Sequence, residues 1–435
     1  MVTYPLAAKL FEGFSILRWN DKLCPVKFAE IEHHAFKSAV SYFLGKALKD
    51  SKKTVDWMKI ASGNVFFLMR KISTSDIHSY MCAEIKKDAA AYKALNEMIC
   101  SGWSKPFLRL PERVLEDFKQ FMYMNEPDSA EMDILKFAHK YATNCEFQIV
   151  AQSNSGDPDI PGIKIELDDD LSRVCTSLNF QGNDNDMVQR IRKHDVDEGI
   201  NRILQLIDRL RYQIRWAQTP RVPETSVLGH CMYTAALAYF ISMEAGLPDH
   251  RVVNNFFAAL FHDLPEALTR DVISPVKNAS EDIKRVISKT ERALSEEKII
   301  KHLPEPWLKD FRFITGLIAK KELEELPGAE QAVFARDEEF SNRYVDEQGK
   351  CRFVERGEKG KKPYPMEAHK DAPGVDGYLL KICDSLAAYM EAHMSVHYGL
   401  LSPSLQQGLS HTRSFCKDAR MYGLKADDFF DGIVF

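Results

Sequence analysis

The chain has 435 residues, too many for one ordinary core, and its 45% hydrophobic and 28% charged content excludes disordered and collagen-like classes. Lys+Arg 58 against Asp+Glu 63 gives a net charge of -5. No overall basic field is therefore available to hold a nucleic-acid backbone or an acidic membrane, and an anionic ligand must be met by a local site.

From the N-terminus, MVTYPLAAKLFEGFSILRW places Lys9 and Glu12 inside what would have to be the apolar core of a signal peptide, which argues against secretion. No run approaches the roughly 18 apolar residues a membrane helix needs. FAEIEHHAFKSAVSYFLGKAL, DILKFAHKYATNCEF, SVLGHCMYTAALAYFISM and DGYLLKICDSLAAYMEAHM carry apolar residues at three- and four-residue spacing, so they predict helices and an all-α, mainly helical architecture. Strand patterns are scarce: IPGIKIELDD near 160–169 predicts a strand, and NRYVDEQGKCRFV near 342–354 a hairpin. The turn-rich stretches 151–162 and 181–186 mark a linker region. The expected organisation is a helical domain over 1–150, a linker over 151–195 and a second helical domain over 196–435, the last interrupted by a polar insertion at about 321–376. The nine cysteines are odd in number, scattered and without a Cys-x-x-Cys pair, which fits reduced thiols in a cytoplasm.

In the second block, three polar positions sit awkwardly. His230 lies in an apolar helix, between Val227 and Leu237. Alone it reads as a hydrogen-bonded core histidine. His262-Asp263 close the helix NNFFAALFHDL before Pro265 breaks it, and the carboxylate of Asp263 either faces water or needs a cation or several donors. Asp384 shares a helix face with Leu380, Ala387 and Ala388, where a carboxylate needs a partner, be it one Lys or Arg or something else. Two imidazoles and two carboxylates converging on a divalent metal explain all of them together. The set is of intermediate hardness, which favours one Mn, Fe, Co or Zn ion over Ca, with Mg also admissible.

The order His230, His262-Asp263, Asp384 resembles the HD superfamily of metal-dependent phosphohydrolases. RYQIRWAQTPRVPETSVLGHCMYTAALAYF and ALFHDLPEALTRDVISPVK are similar to the bacterial HD-type 5'-deoxynucleotidases. The resemblance covers roughly 200–400 apart from the insertion. It implies His230, His262, Asp263 and Asp384 as metal ligands, and Glu266 and Asp271 as the carboxylates that handle protons on the attacking water and the leaving oxygen. It further implies Lys277 and Arg215 near the phosphate, and Trp216 at the sugar. Read without it, Glu266 and Asp271 are loop carboxylates, Lys277 is a solvated lysine, and Arg215-Trp216 are a helix edge.

An internal comparison finds a repeat. Arg18-Trp19 precede His33 by the interval at which Arg215-Trp216 precede His230, and Ile134–His139 resembles Leu379–Asp384, the wider separation of that second pair matching the insertion. In KIASGNVFFLMRK, Gly63-Asn64 stand where the second copy has His262-Asp263, Phe67 replaces the glutamate, and His139 takes the last ligand position. The first copy is therefore expected to be catalytically dead. Relatives of this type tend to dimerise, so the two copies would imitate such a pair, with further homo-oligomerisation open. The expected reaction is hydrolysis of nucleoside 5'-monophosphates to nucleoside and phosphate. The rivals are a nucleotide triphosphohydrolase, a phosphodiesterase for cyclic or alarmone nucleotides, and a nucleotide-binding sensor without turnover. The expected partner is a small-molecule nucleotide, not nucleic acid or membrane.

Overall fold

The computed structural model describes residues 1–50, 53–75, 77, 79–123, 129–178, 199–270, 280–357 and 364–433. It is mainly helical, as the sequence predicts, and divides into two compact units, Pro5–Asp195 and Val196–Phe435 together with Met1–Tyr4. Among the described residues no helix is long and apolar enough to cross a membrane, and all nine cysteines are free.

In the order of the chain, helices α1 (Tyr4–Phe11), α2 (Glu30–Asp50), α3 (Trp57–Thr74), α4 (Ser79–Lys87), α5 (Ala89–Trp103), α6 (Glu112–Tyr123), α7 (Ala130–Ser153) and α8 (Ile160–Leu178) come first. The centre of this first unit is α2, buried from Glu30 to Leu48 and packed against α3 and α7. Its start is fixed by Glu32, whose Oε2 accepts the Ala29 N–H at 3.0 Å, a capping carboxylate reaching back over the first turn. Two short antiparallel strands, β1 (Leu17–Arg18) and β2 (Phe28–Ala29), precede it.

Two sequence expectations fail here. Residues 160–169 form not a strand but the first half of α8, and 151–195 is not simply linker, since α7 runs to Ser153 and α8 lies along it. The local Ile-Lys-Ile-Glu-Leu alternation is overridden by the longer pattern. Ile160, Ile163, Leu167, Leu171, Cys175 and Leu178 recur at helical spacing and are the less exposed face, while Ile165 is 64% exposed.

The second unit contains α9 (Ile200–Arg209), α10 (Val227–Glu244), α11 (Asp249–Phe261), α12 (Glu266–Thr269), α13 (Glu281–Lys298), α14 (Glu305–Thr315), α15 (Lys320–Glu324), α16 (Gly328–Asp337), α17 (Gly377–His397) and α18 (Pro403–Cys416). Helix α10 is apolar all round and accordingly buried from Val227 to Met243, sandwiched by α11 and α17. Ser226 caps it, accepting the Gly229 N–H at 3.1 Å.

The polar stretch 321–376 carries α15, α16 and the expected hairpin, β3 (Asn342–Val345) against β4 (Cys351–Val354), with β5 (Gly374–Val375) on the other edge of β3. Its own small core is Ile318, Val333, Phe334 and Phe353. Arg343 of β3 ties this segment down. Fully buried, it donates to the carbonyls of Phe313 (2.6 Å) and Ile314 (2.9 Å) at the end of α14, and to those of Glu339 (3.0 Å) and Ser341 (2.9 Å). The return into α17 is equally tight: a Cβ on Gly377 would lie 2.2 Å from the Phe340 carbonyl oxygen.

Candidate metal centre

Three helices of the second unit bring the predicted ligands together. His230 comes from the first turn of α10, His262 caps the C-terminus of α11 with Asp263 next to it, and Asp384 lies in α17. His230 Nε2 is 3.0 Å from Asp384 Oδ1 and 4.0 Å from Asp263 Oδ2; His262 Nε2 is 3.2 Å from Asp263 Oδ2 and 3.9 Å from Asp384 Oδ1. The ligand atoms of His230, His262 and Asp384 all lie within 4.8 Å of one another.

Each imidazole is oriented from behind. His262 Nδ1 donates to the Ala259 carbonyl at 2.6 Å, and His230 Nδ1 to Glu391 Oε1 at 3.1 Å, when each ring is the neutral Nδ1–H tautomer. Both then turn an Nε2 lone pair toward carboxylate oxygens, an arrangement that needs a cation between them. The buried Nε2 of His262 makes no hydrogen bond of normal geometry. His230, His262 and Asp384, with Asp263 3.2 Å from His262 and 4.0 Å from His230, offer nitrogen and carboxylate donors that fit a divalent cation of intermediate hardness. Burial alone would raise Asp263 and Asp384. Nearby positive charge reverses this, foremost a proton or other cation at His262 for Asp263 and Lys381 for Asp384, and holds both carboxyls well below their ordinary range.

The structure also shows what sequence reading missed. Glu391, fully buried in α17, is the hub of the site: besides holding His230, its Oε2 accepts from Arg215 Nε (3.3 Å) and Trp216 Nε1 (2.8 Å). Burial raises its carboxyl, and Arg215, His230 and Arg221 more than reverse the effect. Lys381 Nζ bonds Asp384 Oδ2 at 2.8 Å, so this carboxylate has a lysine partner in addition to His230. Arg221 donates to the Arg215 carbonyl at 2.7 Å and to Thr225 Oγ1 at 2.6 Å, bracing the turn that presents Arg215.

The other predicted residues fall as follows. Arg215 bridges Asp263 (Nη1 to Oδ2, 3.3 Å) and the hub Glu391. Trp216 packs on α18, where a Cβ on Gly408 would come within 2.7 Å of the indole. Glu266, first residue of α12, donates its N–H to the Asp263 carbonyl at 3.0 Å and lines a cleft with His262, Asp263, Glu291, Glu338 and Glu339. Asp271 and Lys277 lie outside the described residues.

The first unit holds a counterpart built on Glu146 of α7. Its Oε2 accepts from Arg18 Nε (2.7 Å) and Trp19 Nε1 (3.1 Å), and its Oε1 pairs with His33 Nδ1 (3.0 Å). Trp19 and Trp216 both adopt left-handed backbone, with φ of 56° and 57°, unusual for so bulky a residue. The flanking backbone pairs alike: Leu17 with Ala29 and Ile214 with Ser226, while the Glu30 and Val227 N–H groups donate to the Ile16 and Gln213 carbonyls. The focus differs. His33 Nε2 bonds His139 Nδ1 directly at 2.8 Å. Lys37 occupies the place that Thr234 has after His230, with its buried Nζ 3.7 Å from the Phe67 ring centroid.

The HD-domain family matches residues 207–412, a span that includes all four predicted ligands and Glu391. A 5'-deoxynucleotidase of Pectobacterium atrosepticum is 27% identical over 114 residues, 25% of this chain and 55% of that protein, so the match spans about half the length of the relative. No solved structure matches the chain. The family match and the converging His230, His262 and Asp384 together support an HD-superfamily phosphohydrolase.

Proposed function

We propose that the second unit is a metal-dependent phosphohydrolase that releases phosphate from (deoxy)nucleoside 5'-monophosphates. The observation that carries the reading is the pair of buried imidazoles whose Nε2 atoms face Asp263 and Asp384 at 3.0 to 4.0 Å. His230, His262, Asp263 and Asp384 would hold one divalent ion, Mn, Fe, Co, Zn or Mg, which when bound supplies a Lewis acid and lowers the pKa of water. Arg215 keeps positive charge at the rim, beside Asp263, where an incoming phosphate would be met. Glu266 opens on the same cleft and would accept a proton from the attacking water as the P–O ester bond breaks. For Asp271, Lys277 and the contact of Trp216 with the sugar, the support is the resemblance to 5'-deoxynucleotidases.

The cleft favours a monophosphate over a triphosphate. Among the described lining residues, Glu266, Glu291, Glu338 and Glu339 stand against the guanidinium of Arg292, and such a wall supports this preference by repelling a second and third phosphate. The test is phosphate release by metal-stripped protein reloaded separately with Mn, Co, Mg and Zn, on a panel of ribo- and deoxyribonucleoside monophosphates. Metal-dependent release, lost in Asp263→Ala, is expected. Release of pyrophosphate or triphosphate from nucleoside triphosphates alone would sink the monophosphate reading, and tight nucleotide binding without turnover would favour the sensor.

We further propose that the two units descend from one duplicated HD-like domain whose first copy has lost its metal. The support is the common constellation, Arg18, Trp19, His33 and Glu146 against Arg215, Trp216, His230 and Glu391. In the first copy His33 bonds His139 directly and the buried Lys37 ammonium lies over the Phe67 ring, an arrangement that would disfavour a cation there. One metal per chain is expected by elemental analysis of reloaded protein, and two equivalent ions would contradict the assignment.

A further inference from the structure

His262 belongs to two donor groups at once. The first is the nitrogen and oxygen set with His230 and Asp384. The second is Cys231, His262 and Asp263, whose ligand atoms also lie within 4.8 Å of one another. Cys231 follows His230 in α10, about 100° further round the helix, so it approaches His262 from a different side. It is a free, fully buried thiol. The shared histidine is prepared for a ligand: His262 Nδ1 is taken by the Ala259 carbonyl, and its buried Nε2 makes no hydrogen bond of normal geometry.

The two groups differ in softness. Mn and Mg prefer nitrogen and oxygen donors, whereas a sulfur, a nitrogen and a carboxylate oxygen with a fourth position open suit Zn and Cd. We propose that Cys231 is a metal ligand reserved for thiophilic divalent cations, which bind through Cys231 Sγ, His262 and Asp263 and forgo His230 and Asp384. The thiol proton passes to solvent as the sulfur–metal bond forms, and nothing is oxidised. Mn, Mg and Fe stay in the nitrogen and oxygen set, whereas Zn, Cd and Co, of which that set could also hold Zn and Co, move to the sulfur, so the identity of the ion selects the binding mode. The inference rests on the metal centre proposed above.

Cobalt separates the two. Metal-stripped full-length protein is titrated with Co(II), and with Cd(II) in parallel, while its absorption is followed; Cys231→Ser and Cys231→Ala are compared after circular dichroism has shown them folded. The expected result is a near-ultraviolet thiolate-to-metal charge-transfer band in the wild type that disappears in both variants, with cadmium affinity falling at least roughly tenfold. Cobalt ligand-field bands without a thiolate band, or a thiolate band that survives in the folded variants, overturn the role of Cys231 and leave the centre standing. No cobalt binding at all overturns the metal centre itself.

Discussion

Glu391 couples His230, Arg215 and the Trp216 indole through one carboxylate. Replacing it by Gln keeps the shape and removes the charge that orients His230 and balances Arg215, so Glu391→Gln should lower metal affinity by about 10- to 100-fold. Isothermal titration with Mn tests this, and unchanged affinity would reduce Glu391 to a packing residue. The candidate ligands were legible because each is a polar side chain where a helix is otherwise apolar: His230 in α10, His262-Asp263 at the end of α11, Asp384 in α17. Glu391 was not, because among Ala392, His393 and Met394 it looks like any acid on a helix. Its signal lay in the repeat. Glu146 follows His139 at the interval by which Glu391 follows Asp384, and carrying the comparison about two turns further along α17 would have found it.

At the level of elements, the long helices were readable because their period persists over many turns, whereas α8 was misread from ten residues of alternation whose helical partner, α7, lies outside that window. The insertion was visible as polar composition, but nothing in its sequence announces that Arg343 fastens it to α14. Burial lowers this guanidinium to about 10. Arg343→Leu would leave the Phe313, Ile314, Glu339 and Ser341 carbonyls without their donor, at a cost on the order of several kcal/mol. The expected outcome is a lower Tm and rapid proteolytic cutting within 316–376. Because Glu338 and Glu339 line the cleft, KM for the monophosphate should rise as well. A variant with wild-type Tm and protease resistance would show that the clamp is dispensable.

On the scale of the whole chain, the two units should answer acid differently from a protein whose histidines are exposed. In the first unit burial lowers His33 and His139 and pushes His34 down to about 3, leaving all three neutral in the fold. An unfolded histidine has a pKa near 6.5 and takes up protons that the folded one refuses. Stability is therefore full above about pH 6.5 and falls as the pH drops below it, for His34 down toward 3, by up to roughly 1.4 kcal/mol per pH unit for each histidine still refusing its proton. Hydrogen exchange of α2 amides, corrected for intrinsic rates, should accelerate between pH 6.5 and 5, and His34→Gln should flatten the slope. Acid-independent protection would refute the burial argument.

The left-handed tryptophans carry a different consequence. Trp216 is linked through Glu391 to His230, so a quenching ion such as Co(II) at the proposed centre should dim its emission, whereas Trp19 is linked through Glu146 to His33, where the proposal places no ion. The molecule thus contains an optical probe and its own blank on matching scaffolds. Comparing Trp19→Phe with Trp216→Phe would let the occupancy of one site be read by fluorescence without any substrate.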